Sequence, residues 1–262
     1  MADLEVKREN GILWLRFNRP EQMGALTVDM RNQILDQLWE SRSDVDVRGI
    51  VIAGTGKGFC TGADLSENRN KDVTPWAGRT REMMRTGGAR MLRAIWETEK
   101  PIIASVNGTA AGLGAHLALI CDLVIAAEGV RFIEVFVRRG IAMDALGGFL
   151  LPRIMPLHKA KELAFFGDAF TAEEALQLGV INKVVPADQL EAETKAWADR
   201  LAKAPTTAIG CTKRLLNRGT EVGLETSLDD EALIQSMIMG TEDAQEGISS
   251  FRERRKPEFL GR

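Results

Sequence analysis

The sequence of 262 residues contains no tyrosine, two histidines and three cysteines. The cysteines, Cys60, Cys121 and Cys211, are odd in number, far apart and without a CxxC pair, so neither disulfides nor a zinc site is expected. Without tyrosine, the chain lacks the proton donor of a short-chain dehydrogenase, whose length and strand-helix alternation it would otherwise suit. It also lacks GxxxxGK[ST], GxGxxG and GxSxG motifs, which excludes the common nucleotide-binding sites and the usual α/β-hydrolase nucleophile.

A large charge of one sign is missing too, since 34 basic and 37 acidic residues leave a net charge of -3. Nucleic acid is therefore not expected as a partner. The first ten residues lack the basic-then-apolar profile of a signal peptide, which predicts a cytoplasmic protein. One stretch, residues 101–121, contains no Asp, Glu, Lys or Arg and is long enough to span a bilayer, but its Asn, Gly and His residues favour a buried strand and helix instead.

The order of apolar runs predicts an α/β fold. Asn10-Gly11 separates two strand-like runs and predicts a β-hairpin, and Thr27 stands as N-cap before an amphipathic helix. The runs GIVIAG, IIASVNG and DLVIAA are short and apolar and alternate with segments of helical length, which is typical of strands covered on both faces. From about Leu157 onward the patterns favour helix.

Two strand-to-turn segments of similar build, GIVIAGTGKGFCTGADL and PIIASVNGTAAGLGAHL, end in small residues before a helix. Small residues leave backbone N–H groups accessible, and the N-terminus of a helix favours negative charge. Two such turns facing each other could donate two hydrogen bonds to one oxyanion. From spacing alone, the alternative is that the glycines only permit tight turns and close packing.

The chain as a whole resembles the crotonase superfamily, also called the enoyl-CoA hydratase/isomerase family. The resemblance rests on six segments that occur in order over nearly the whole chain: NRPEQMGAL, GKGFCTGADL, IIASVNGTAAGLG, RRGIAMDALGG, FFGDAFTAEEALQLGVINKVV and FRERRKPEF. It implies an α/β fold, a crotonase-like spiral of ββα units with a helical C-terminal region. The expected division is an acyl-CoA-binding core at residues 1–195 and a helical oligomerisation region at residues 196–262.

The resemblance implies an acyl-CoA thioester substrate whose carbonyl oxygen accepts two backbone N–H bonds in an oxyanion hole. Carried over, the donors are the amides of Ala63 and Leu113, where most members have glycine at the second place. The substrate-binding positions that follow from the matched motifs are Ala25, Leu26, Gly62, Asp64, Leu65, Ser66 and Gly112. Asp64 could at the same time cap a helix. No metal and no cofactor are expected, since coenzyme A is part of the substrate.

The acid-base positions depart from the pattern of the hydratases. Those enzymes use two glutamates, and the matching places hold His116 and Phe136. Glu134 could substitute if its segment were extended, and we count it with the substrate-binding residues. Asp144 fits the place where dienoyl-CoA isomerases and some dehalogenase-like members have a catalytic aspartate, although it could also be a turn or capping residue. His116 follows one turn after Leu113 and is expected to be a neutral ring that donates or orients, or else a core histidine bonded to backbone.

These residues leave the reaction open. The sequence does not favour hydration over double-bond isomerisation of a fatty or related acyl-CoA, or the reverse. Dienoyl-CoA isomerase and thioester hydrolase are further activities of the family. The alternative from another class is a catalytically silent acyl-CoA-binding or scaffolding protein, which would have no need of Asp144. The family also implies a homotrimer or hexamer, in which the C-terminal helices pack between subunits.

Overall fold

The computed structural model describes residues 2–68 and 77–262. Within these two ranges, the chain forms two sheets and a set of covering helices. The strands are β1 (Leu4–Glu9), β2 (Ile12–Phe17), β3 (Gly49–Gly54), β4 (Gly58–Cys60), β5 (Ile102–Val106), β6 (Thr109–Ala111), β7 (Leu123–Ala127), β8 (Arg131–Ile133), β9 (Ala169–Thr171) and β10 (Lys183–Val185). The helices are α1 (Val28–Ser43), α2 (Ala77–Thr86), α3 (Gly88–Glu97), α4 (Leu113–Leu119), α5 (Gly147–Ile154), α6 (Leu157–Phe166), α7 (Ala172–Gln177), α8 (Leu190–Ala202), α9 (Thr206–Gly219), α10 (Leu224–Ile238) and α11 (Glu242–Glu253).

The main sheet has the order β1-β2-β3-β5-β7-β10 among the described strands. β1 and β2 form the predicted hairpin, and both residues of its two-residue turn have positive φ, 50° at Asn10 and 79° at Gly11. This is the turn geometry that an Asn-Gly pair favours between antiparallel strands. All other pairings in the main sheet are parallel, and their apolar strands are buried on both faces.

The second sheet, with the order β4-β6-β8-β9, is built from short continuations of main-sheet strands. β3 leads directly into β4, β5 into β6 and β7 into β8, and a helix follows each pair. The three pairs stack in parallel, so that each unit adds one strand to both sheets. This arrangement confirms the predicted spiral of ββα units.

Helices cover the main sheet as the apolar patterns predicted. Thr27 caps α1 by accepting a hydrogen bond from the amide of Met30, as expected from the sequence. α8 packs on the sheet through Ala198 and through Thr194, whose hydroxyl lies 2.8 Å from that of Ser105 on β5. The boundary predicted between residues 195 and 196 falls inside this helix, and the division into two regions stays a prediction.

The last helices differ in how far they are buried against the rest of the chain. α9 is attached to the core by Lys213, whose ammonium donates to the carboxylate of Asp122 at 2.9 Å and to the carbonyl of Ile95 at 3.0 Å. α10 buries none of its residues. Four of its large apolar side chains are more than half exposed, namely Leu224, Leu228, Leu233 and Met237. A helix with apolar residues around its circumference is usually covered, and this chain alone does not cover α10.

Residues 101–121 form β5, β6 and α4, as the polar residues within that stretch predicted. In the described part of the chain, no helix has both the length and the apolar character needed to cross a membrane.

Candidate functional site

The first glycine-rich turn follows β4, and a single isolated parallel bridge pairs its Ala63 with Leu26. The amide of Leu26 donates to the carbonyl of Gly62 at 2.8 Å, and the amide of Asp64 donates to the carbonyl of Leu26 at 2.9 Å. Because Leu26 bonds to the residues on either side of Ala63, the N–H of Ala63 points away from the bridge. Gly62 has φ +103°, a conformation that a side chain would strain. Ala63 itself is an exposed residue, and its N–H is directed away from Leu26.

A cluster of polar contacts fixes this turn. One oxygen of Asp64 accepts from the amide of Ser66 at 2.9 Å and from its hydroxyl at 2.6 Å, while the other lies 2.8 Å from Arg19. Arg19 also donates to the carbonyl of Ala25 at 2.7 Å. The Ser66 and Arg19 hydrogen bonds lower the pKa of Asp64 to about 2. Asp64 thus caps the short 3-10 turn after it, as the sequence suggested.

The second turn follows β6 and starts α4 at Leu113. Gly112 precedes the helix with φ +53°, and the Leu113 amide is a first-turn N–H that has no acceptor within its own helix. Most members of the resembling family have glycine where this chain has Leu113. Gly88 of α3 leaves room for the leucine side chain, because a Cβ on Gly88 would lie 2.8 Å from a methyl carbon of Leu113. The side chain of Leu113 therefore packs toward α3, and its amide remains at the helix terminus.

The two turns lie against each other. A Cβ added to Gly62 would stand 3.4 Å from the carbonyl oxygen of Ala111 and 4.0 Å from the nitrogen of Leu113. One added to Gly114 would stand 2.0 Å from the carbonyl oxygen of Cys60. Glycines thus permit close contact between the turn that carries Ala63 and the turn that carries Leu113. Two backbone amides on neighbouring turns are the kind of donor pair that an oxyanion hole uses. The oxyanion role itself stays a prediction.

The two places at which the resembling hydratases carry glutamates are filled by aromatic rings. The imidazole of His116 and the ring of Phe136 stack with centroids 5.6 Å apart and planes inclined by 23°. His116 is 0% exposed and Phe136 is 7% exposed. Both places therefore hold buried rings, and neither supplies a carboxylate.

His116 is bonded at both ring nitrogens. Nδ1 lies 3.0 Å from the carbonyl oxygen of Ala145, and Nε2 lies 3.1 Å from each carboxylate oxygen of Glu134. Glu134 is 1% exposed, and its carboxylate faces His116. The Glu134 carboxylate is therefore buried against the imidazole of His116. A direct contact of Glu134 with substrate stays a prediction, and this burial disfavours it.

Asp144 begins a tight turn whose carbonyl accepts from the amide of Gly147 at 2.9 Å. The two central residues, Ala145 and Leu146, both have positive φ, 48° and 61°, although neither is glycine. Burial raises the pKa of Asp144, and the nearby His116 acts in the opposite direction. Asp144 is half-buried, so its carboxyl group is still accessible to a bound molecule but is only partly hydrated.

The remaining predicted binding residues divide by exposure. Leu65 and Ser66 are exposed beside the first turn, where a bound molecule could contact them. Leu26 is fully buried, so only its backbone borders the turn. Contacts of these residues and of Ala25 with coenzyme A stay predictions. Among the residues that the structure describes, no group of three or more His, Cys, Asp or Glu side chains could hold a metal ion.

Sequence reasoning missed three residues that shape the site: Arg19, Gly88 and Ala145. Arg19 lies in the NRPEQMGAL segment, and its charge next to an otherwise turn-forming sequence was an available signal. The sequence around Gly88 and Ala145 gave no indication of their roles. Gly88 makes room for the side chain of Leu113, and Ala145 contributes only its backbone carbonyl.

The chain is similar over nearly its whole length to known proteins. Residues 7–262 match the family model described as enoyl-CoA hydratase/isomerase. The 1,2-epoxyphenylacetyl-CoA isomerase of Escherichia coli is 35% identical over 97% of this chain and 97% of its own length. The 2,3-dehydroadipyl-CoA hydratase of the same organism is 34% identical over 100% of both chains. A crystal structure of an enoyl-CoA hydratase from Bacillus anthracis superimposes with a TM-score of 0.92 at 28% identity, covering 100% of both chains.

Proposed function

The chain belongs to the enoyl-CoA hydratase/isomerase family and is an acyl-CoA enzyme of that type, and within that type we propose that it moves a carbon–carbon double bond rather than hydrating one. The observation that carries the proposal is the stacked pair His116 and Phe136, which fills both glutamate places. Hydration needs one group to activate water and usually a second to deliver a proton, whereas migration of a double bond needs one group that takes a proton and returns it.

Asp144 is the group that we assign to this proton transfer. Its carboxylate removes a proton from the α carbon of a 3-enoyl thioester, and the electron pair spreads into a dienolate. The dienolate oxygen accepts hydrogen bonds from the amides of Ala63 and Leu113, which form the oxyanion hole. The Asp144 carboxyl then returns the proton to the γ carbon, giving the 2-enoyl thioester. Its raised pKa suits this cycle, because a base that must also donate works best when its pKa approaches the working pH.

The wider setting of the reaction is part of the same proposal. The exposed apolar side chains of α10 support an assembly of identical subunits, a homotrimer or a hexamer, that covers this helix. The three cysteines are free thiols, which suits the cytoplasm. The substrate that we propose is a fatty or related acyl-CoA, and the reaction as written requires no metal and no redox cofactor.

The test is a panel of 2-enoyl-CoA and 3-enoyl-CoA thioesters of several chain lengths, with products identified by mass spectrometry and chromatography. Isomerisation leaves the mass of the thioester unchanged, whereas hydration adds one water molecule, about 18 mass units. We expect interconversion of 2-enoyl and 3-enoyl forms without a mass change. A hydrated product as the main outcome would contradict the proposal.

The assignment of Asp144 is tested with Asp144→Asn, which keeps the size of the side chain and removes the base. We expect turnover to fall by roughly a hundredfold or more, the usual scale for a general acid-base group, with acyl-CoA affinity retained. The matched control is Asp199→Asn on α8, whose carboxylate pairs with Lys195 at the surface. Near-full activity of the Asp144 variant would refute the assignment.

A further inference from the structure

The buried contacts of His116 define where its protons are. The carbonyl oxygen of Ala145 can only accept, so Nδ1 at 3.0 Å must carry a hydrogen. Nε2 lies 3.1 Å from both oxygens of Glu134, and a favourable contact there requires one proton between the two groups. With His116 and Glu134 at 0% and 1% exposure, water cannot supply alternative partners. Glu134 therefore fixes which nitrogen of His116 faces Ala145.

The Ala145 carbonyl belongs to a turn that the local sequence does not favour. Ala145 and Leu146 are consecutive residues with positive φ, in a region that non-glycine residues rarely adopt. Such a conformation persists only where surrounding contacts hold it. The hydrogen bond from His116 is one such contact, and the bond from the Gly147 amide to the Asp144 carbonyl closes the same turn.

From these contacts we infer that His116 and Glu134 are positioning residues: the pair holds one shared proton and, through the carbonyl of Ala145, keeps the left-handed turn that aims the carboxylate of Asp144. This inference rests on the proposed role of Asp144 in proton transfer. It assigns neither His116 nor Glu134 a proton transfer to substrate. Stacking on Phe136 keeps the imidazole plane fixed while its two nitrogens bridge the segments.

Substitutions at His116 and Glu134 can distinguish a positioning role from a catalytic one, because each substitution removes a different contact. In Glu134→Gln, the amide N–H group can still donate to Nε2, so Nδ1 continues to donate to Ala145. In Glu134→Leu, Nε2 has no partner and the orientation of the ring is released. His116→Phe keeps a ring to stack on Phe136 but removes the donor to Ala145.

The first measurement is turnover and acyl-CoA affinity of these variants, with substrate interconversion as the assay. We expect Glu134→Gln to keep turnover within about fivefold of the parent, and Glu134→Leu and His116→Phe to lose about 10- to 100-fold in kcat with Kd changed by less than about threefold. Thr194→Val is the matched control, since it removes one buried hydrogen bond to Ser105 on the main sheet. A loss of a hundredfold or more in Glu134→Gln would overturn the inference, because it would indicate that Glu134 transfers a proton itself.

The second measurement places the effect at the turn. Hydrogen exchange of the Gly147 amide, read by mass spectrometry, is expected to accelerate in His116→Phe and Glu134→Leu but not in Glu134→Gln or Thr194→Val. In a double-mutant cycle, His116→Phe added to Asp144→Asn should cause no further loss of kcat, since positioning acts only through that carboxylate. Equal losses in both backgrounds, or unchanged exchange at Gly147, would overturn the inference. Full activity of Asp144→Asn alone would instead refute the proposed function, while the exchange measurement would still decide whether the pair holds the turn.

Discussion

Replacing Gly114 by alanine tests whether contact between the two glycine-rich turns sets the activity. The new Cβ would stand 2.0 Å from the carbonyl oxygen of Cys60, and Cβ atoms essentially never approach another heavy atom within 3.0 Å. One of the two backbone segments must therefore retreat by about 1 Å, and α4 carries Leu113 with it. A hydrogen bond of ~2.9 Å from the Leu113 amide would lengthen to ~3.9 Å, beyond the range in which it acts.

Loss of one oxyanion donor costs about 10²- to 10³-fold in kcat, or roughly 3–4 kcal/mol of transition-state stabilisation. Overpacking should also lower the free energy of unfolding by about 1–3 kcal/mol. Steady-state kinetics on the thioester found in the panel, together with urea unfolding, would measure both effects. The matched control is Gly219→Ala at the end of α9, where an added Cβ meets nothing within 4 Å. If Gly114→Ala keeps its kcat within about twofold, the two turns do not depend on this contact and the assignment of Leu113 fails.

Three further perturbations follow from the charged groups. Because Asp144 must be deprotonated to act and burial raises its pKa, kcat/KM should fall as pH drops through a midpoint above the ordinary 3.8, and the residual activity of Asp144→Asn should lack that step. Lys213→Met should destabilise the fold by about 1–3 kcal/mol in urea unfolding because the part-buried carboxylate of Asp122 loses its cationic partner and keeps only the hydrogen bond from the Ile102 amide, and the added change Asp122→Asn should restore part of the loss. Asp64 has a pKa of about 2 in the folded chain, so its contribution to stability is present above pH ~4 and disappears as pH falls toward 2. Asp64→Asn should therefore cost about 1–2 kcal/mol at pH 6 and less at pH 3, and an equal cost at both would contradict the role of the Arg19 and Ser66 contacts.

Local signals in the sequence were sufficient for much of the fold. Asn10-Gly11 encodes its own turn, and Thr27 carries the hydroxyl that caps α1. The two glycine-rich turns were also visible, because Gly62 and Gly112 sit where a strand gives way to a tight turn. In each of these cases the cause lies within a few residues of the effect.

The arrangement around Asp144 could not be read in this way. The bonds of His116 join α4 to Glu134 and to Ala145, which lie 18 and 29 residues away. Ala145 and Leu146 have ordinary side chains, so their positive φ angles leave no trace in the residue types. The stacking of His116 on Phe136 likewise depends on how the spiral brings α4 and the segment after β8 together, which is a property of the whole fold.

The placement of Ala63 and Leu113 in successive units of the spiral has a consequence for stability in the presence of ligand. One proposed donor follows β4 and the other follows β6, so a molecule bound to both amides would connect two units of the spiral in addition to the pairing of β4 with β6. Such a ligand would hold the two units together, and the two turns could separate by local unfolding only after the ligand had dissociated. At a hundred times the dissociation constant, a ligand that binds only the closed form adds about 2.7 kcal/mol to the cost of that opening. Acyl-CoA should therefore protect the contact between the two turns from proteolysis more than it protects α10, which carries neither proposed donor.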